Sequence, residues 1–140
     1  MSRPDGGPAL FRLVRFWSRR WSTPPSLADE RVRHVEVLAA VTAAGPQPTI
    51  GAVARQLGID RSGAGRFVRD AVEAGLLERR AADPDRRRAA VAPTAEGTAL
   101  LDAALDWQRA AFAELTAGWE PADRDRFAGY LQRLADEQGA

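Results

Sequence analysis

Apolar side chains recur at helical spacing over most of the chain. Leu10, Leu13, Val14, Trp17 and Trp21 follow an i, i+3, i+4, i+7, i+11 pattern, with Arg12, Arg15 and Arg19 on another face, which predicts a first helix. Met1 to Gly7, with Pro and Gly among them, reads as a frayed end. Thr23-Pro24-Pro25 stops the helix. Ser26, with Asp29 three residues on, opens a second helix over about Leu27 to Ala44 that turns Val35, Leu38 and Val41 inward. Gly45-Pro46 and Pro48 close it.

Thr49 caps a short third helix with Ile50, Val53 and Leu57 on one stripe, ended by Gly58. Asp60 caps a fourth, from Arg61 to about Ala74, with Ala64, Val68, Ala71 and Val72 inward and Gly75 as its stop. Leu76 to Arg80 and Arg88 to Ala92 are too short for helices. They flank the turn-rich Ala82-Asp83-Pro84-Asp85-Arg86, so they predict a two-stranded hairpin. Thr94 caps a long helix to about Gly118, and Pro121 suits the first turn of a last helix through Leu134. On the long helix Leu101, Leu105, Gln108, Phe112, Leu115 and Trp119 form a heptad-like seam. A helix of about 24 residues extends ~36 Å, more than a small domain covers on one side. The rest of the seam calls for a partner, and with Phe127, Tyr130, Leu131 and Leu134 on the last helix the natural one is a second copy of the chain.

Composition narrows what such a helical chain does. The 140 residues make one domain, long enough to bury roughly two thirds of the surface of the unfolded chain without staples. There is no Cys and a single His, which removes disulfides, thiolate chemistry and the usual transition-metal clusters; no metal or other cofactor is expected. Asp102 and Asp106 are an i, i+4 like-charge pair suited to a solvated face, and the chain does not read as an enzyme. Net charge is only +1, yet the front is basic and the tail acidic: seven Arg oppose three acids up to Arg33, whereas four Arg oppose nine acids after Arg88. A polyanion partner on one side is the expectation. The apolar stretch from Pro8 to Trp21 is broken by Arg12, Arg15, Arg19 and Arg20, so a membrane span or signal core does not fit and a cytoplasmic protein is expected. The same aromatic, Arg-bearing helix could lie on an anionic membrane; packing in a dimer is preferred because the seam already demands a partner.

The two helices joined by Leu57-Gly58-Ile59-Asp60 describe a helix-turn-helix. With Ala64, Val68, Ala71 and Val72 inward, Ser62, Gly65, Arg66, Arg69 and Glu73 fall on the opposite stripe, which can enter a major groove. There a guanidinium donates to guanine O6 and N7 or pairs with phosphate. Gly63-Ala64-Gly65 lacks the third glycine and preceding strand of a dinucleotide loop. Asp85-Arg86-Arg87-Arg88 at the hairpin bend suits a wing: one Arg in a narrow minor groove, the others on phosphates, and Asp85 holding a guanidinium in place.

From Thr49 to Gly97 these residues resemble the MarR family of winged helix-turn-helix transcription regulators. The matching text is TIGAVARQLGIDRSGAGRFVRDAVEAGLLERR, then DPDRRRAAVAPTAEG, with the wing's Asp-x-Arg at Asp85-Arg86-Arg87 and a helix-entry Thr-x-x-Gly at Thr94 to Gly97. The flanking helices match in order. The resemblance implies a mostly α fold with a small two-stranded β wing, as a single domain over 1–140. Dimerisation and scaffold helices at 8–44 and 94–138 would flank a winged helix-turn-helix lobe at 45–93. It also implies a homodimer on a pseudo-palindromic operator in double-stranded DNA, with half-sites about 10 bp apart, more in keeping with a repressor than an activator. Ser62, Arg66 and Arg69 would meet the major groove with the Gly63 and Gly65 backbone close by, Thr49 and Arg61 would contact phosphates, and Arg87 would enter the minor groove flanked by Arg86 and Arg88. Such regulators are often released by a small effector, here expected to be aromatic or lipophilic, with Trp17, Trp21, His34 and Phe112 as candidate pocket residues. Family members usually carry hydroxyl residues near Gly63 and Gly65, the wing is about one residue short, and Pro93 stands where an apolar strand residue is usual. A winged-helix protein-interaction module without sequence-specific DNA binding is the alternative.

Overall fold

A computed structural model describes residues 3–18, 29–80 and 90–140. The elements run α1 (Gly6–Trp17), α2 (Asp29–Ala43), α3 (Ile50–Leu57), α4 (Arg61–Glu73), β1 (Leu77–Arg80), β2 (Ala90–Pro93), α5 (Ala95–Leu115) and α6 (Pro121–Gln138). The expected end of the first helix at Thr23-Pro24-Pro25, and Ser26 as the start of the second, lie outside the described residues.

Local hydrogen bonds set the helix starts. Thr49 Oγ1 accepts from Ala52 N at 3.0 Å, Asp60 Oδ1 from Gly63 N at 2.7 Å and Thr94 Oγ1 from Gly97 N at 3.0 Å, each relieving one of the unpaired first-turn amides. Asp5 does the same for α1, accepting from Gly7 N at 3.3 Å, so the helix begins at Gly6 where the sequence suggested fraying. The helix-turn-helix bend needs glycine: Gly58 has φ 68°, a left-handed conformation costly for a residue with a Cβ. At Gly75, φ 77°, α4 closes by bonds from Gly75 N to Val72 O and from Leu76 N to Ala71 O.

α2 is the central post. It touches α3, α4, α5 and β2, and therefore buries Val37 and Ala40 as well as the expected Val35, Leu38 and Val41. Val53 and Ala54 of α3, Ala64, Val68 and Ala71 of α4, Leu76, Leu77, Val91 and the first half of α5 complete one core. α5 approaches unusually closely at Gly97. A Cβ there would overlap the Leu76 carbonyl oxygen and stand 3.1 Å from Leu38 Cδ2, which gives the glycine of Thr-x-x-Gly its physical reason.

β1 and β2 pair antiparallel from Leu77↔Pro93 to Arg80↔Ala90. The second strand thus reaches Pro93, one residue beyond the expected Ala92. A two-stranded ribbon tolerates the missing N–H on an edge, and Thr94 N donates to Leu76 O at 3.0 Å just past it.

The long helix is shorter and the last one longer than expected. α5 stops at Leu115, where the buried Thr116 turns its hydroxyl back to Phe112 O at 2.8 Å. α6 continues to Gln138 and ends on Gly139, φ 73°. Gln56 Nε2 donates to Gly139 O at 2.7 Å, tying the end of α6 to α3. α1 and α6 contribute no buried residue, and Phe11, Val14 and Leu115 are more than half exposed.

Candidate nucleic-acid interface

The two sides of α4 are sorted by burial. Ala64, Val68 and Ala71 are sealed into the core, while Arg61, Ser62, Arg66 and Arg69 are exposed. Neither the Arg66 nor the Arg69 guanidinium pairs with a carboxylate among the described residues, and the Asp60 carboxylate at the head of the helix is engaged with Gly63 N. The outer face of α4 therefore presents two exposed guanidinium groups that form no ion pair among the described residues.

The two glycines of α4, paired in the sequence reading, occupy different environments. Gly63 is buried, and a Cβ on it would stand 2.8 Å from Asp60 Oδ1 and 3.5 Å from Ile59 Cδ1. It belongs to the capped turn. Gly65 has nothing within 4 Å of the Cβ position, so its backbone is the open one between Ser62 and Arg66.

Thr49 caps the start of α3, and Arg61 reaches the first turn of the same helix. The Arg61 side chain crosses the turn to lie over Gly51, whose Cβ would fall 2.8 Å from Nη2 and 3.1 Å from Nε. On the flank of α4, the Arg33 guanidinium of α2 sits 5.0 Å from the Phe67 ring centroid, a cation–π contact that places a further positive group beside the helix. Sequence spacing singled out neither Gly51 nor Arg33, since both acquire meaning only across two helices. Asp85, Arg86, Arg87 and Arg88 lie outside the described residues; the β1–β2 ribbon that flanks them is in place.

The proposed effector residues are divided. Trp17 and Phe112 line one apolar cavity of about 480 Å³ between α1, α5 and α6, together with Trp107, Trp119 and Phe127. Phe112 and Phe127 stack at 6.0 Å, and Trp119 meets Phe127 at 5.2 Å. His34 is not with them. It is 5% exposed on α2, whose burial on several sides makes it a core residue, and Trp21 lies outside the described residues. A larger apolar cavity of about 640 Å³ separates α1, at Leu10, Leu13 and Phe16, from α6, at Tyr130, Leu131 and Leu134. Among the described residues no cluster of His, Asp and Glu could hold a metal ion, and no helix is long and apolar enough to cross a membrane.

Residues 31–88 match a family model described as the MarR family. No curated protein sequence matches the chain. Among solved structures, a MarR family transcriptional regulator from Silicibacter pomeroyi DSS shares 24% identity at a TM-score of 0.69, covering 99% of this chain and 98% of its own. RV1404 from Mycobacterium tuberculosis shares 20% at 0.69, covering 98% and 97%. The PcaV transcriptional regulator from Streptomyces coelicolor, solved in complex with its natural ligand, shares 21% at 0.58, covering 97% and 98%. The helix-turn-helix lobe of this chain is similar to the MarR family, and the chain as a whole has the winged helix-turn-helix fold of these solved structures.

Proposed function

We infer that the protein is a sequence-specific regulator of transcription that binds double-stranded DNA as a homodimer on a pseudo-palindromic operator, as a repressor. The observation that carries this reading is the outer face of α4: Arg66 and Arg69 exposed and without an ion pair among the described residues, with the open Gly65 backbone between Ser62 and Arg66, on a helix whose inner face is locked into the core. In a major groove these guanidinium groups read guanine edges or grip phosphates, while Arg61 and Thr49 meet the backbone and Arg87, flanked by Arg86 and Arg88, reaches the minor groove with Asp85 holding it. A second copy covers the apolar faces of α1 and α6, which hold no fully buried residue within one chain. Two-fold symmetry then sets half-sites about one helical turn apart, ~10 bp.

An aromatic or lipophilic effector that weakens DNA binding is part of the same reading. The ligand-bound PcaV structure from Streptomyces coelicolor and the aromatic cavity around Trp17 and Phe112 support it. A cytoplasmic location follows from a role on DNA.

The test is selection of bound duplexes from a random pool, followed by fluorescence titration at two salt concentrations. Affinity should fall steeply with salt, Arg61→Ala should lower the log–log slope by about 1, and Arg87→Ala should weaken binding. Absent or salt-insensitive binding refutes the reading and leaves a protein-interaction module instead.

A further inference from the structure

Gly51 is a glycine without a backbone reason. It sits in the first turn of α3, and the glycines with positive φ are Gly45, Gly58, Gly75 and Gly139, so its conformation suits any residue. Glycine inside a helix is less favourable than alanine, and something must offset that cost. The described structure holds one feature that a side chain would strike: the guanidinium of Arg61, with Nη2, Nε and Cζ at 2.8, 3.1 and 3.4 Å from the Cβ position. Because Cζ is farther than both nitrogens, the Cβ position lies in the guanidinium plane off its Nε–Nη2 edge, so the guanidinium meets the first turn of α3 edge-on at Gly51. Arg61 itself has no carboxylate partner among the described residues that would hold it there.

We propose that Gly51 is a positioning residue for DNA binding: its missing side chain forms the seat that holds the Arg61 guanidinium at the junction of α3 and α4, aimed at a backbone phosphate. This rests on the DNA-binding reading above. A long side chain restrained before binding loses less conformational freedom on meeting a phosphate, an advantage of about two- to tenfold in affinity. Because the group met is a phosphate, the advantage applies equally to every duplex sequence.

The experiment compares the parent, Gly51→Ala, Arg61→Ala and the double variant, each titrated with the selected duplex and with a random-sequence duplex. Gly51→Ala should bind both duplexes about two- to tenfold more weakly while its melting temperature is unchanged or raised, because the displaced group is the free end of a flexible chain. In the Arg61→Ala background the same change should have no effect. An equal loss in both backgrounds, or no loss in the parent, overturns the proposal. A DNA-free measurement separates it from the wider reading: nuclear spin relaxation of the Arg61 Nε–H group should show a restrained side chain that Gly51→Ala releases. Equal mobility with and without the substitution overturns the seat alone, whereas a seated Arg61 in a protein that binds neither duplex overturns the DNA reading and the phosphate with it.

Discussion

Gly65→Ala separates what α4 does for the fold from what it does for DNA, because its two effects have opposite signs. The added methyl meets no atom within 4 Å in the free protein, so only helix propensity acts on stability. That is worth roughly 1 kcal/mol in favour of alanine, a rise of about 4 °C in melting temperature for a chain of this size. In the proposed DNA complex the same methyl would stand on the face that carries Ser62, Arg66 and Arg69, where a bare backbone would let the helix come close. Forcing a methyl into a packed contact costs about 1–3 kcal/mol, which is about five- to 150-fold in affinity. Calorimetry on the free variant and a fluorescence titration on the selected duplex at fixed salt read the two effects. A variant that is more stable and binds as tightly as the parent refutes the close approach at Gly65; a lower melting temperature refutes the open space around it. Gly63→Ala is the contrasting case. Its Cβ would press on Asp60 Oδ1 at 2.8 Å, and the weakened cap, worth about 1 kcal/mol, cancels the gain in propensity.

Gly97→Ala should destabilise by about 1–3 kcal/mol in urea titrations although helix propensity alone favours it, because the methyl would overlap the Leu76 carbonyl oxygen; equal or greater stability would show that α5 shifts freely. Asp60→Ala should cost about 1 kcal/mol through the lost bond to Gly63 N, with a loss of DNA affinity if the head of α4 frays. Leu10→Asp combined with Leu134→Asp should give monomers in sedimentation equilibrium while the helical content persists, since both residues are exposed on helices that hold no fully buried residue within one chain; an unchanged assembly would place the subunit contact elsewhere.

The helix starts and the helix-turn-helix were legible in the sequence for one reason: they are short-range hydrogen-bond devices. Thr49, Asp60 and Thr94 each bond an amide three residues ahead, and Gly58 and Gly75 supply the left-handed turns, so the information lies within one turn of chain. The exposed stripe of α4 was legible because burial of Ala64, Val68 and Ala71 leaves Arg66 and Arg69 no other side. What spacing along one helix could not separate was decided between helices. Gly63 and Gly65 are alike by propensity, yet one faces the Asp60 cap and the other open space. His34 sits in the core because α2 has neighbours on several sides, whereas Trp17 and Phe112 share only the cavity lined from α1, α5 and α6. Arg61 over Gly51 and Arg33 over Phe67 likewise join residues of separate helices. Caps and turns are settled by a residue's chain neighbours, while burial and side-chain contacts are settled by whatever the fold brings alongside.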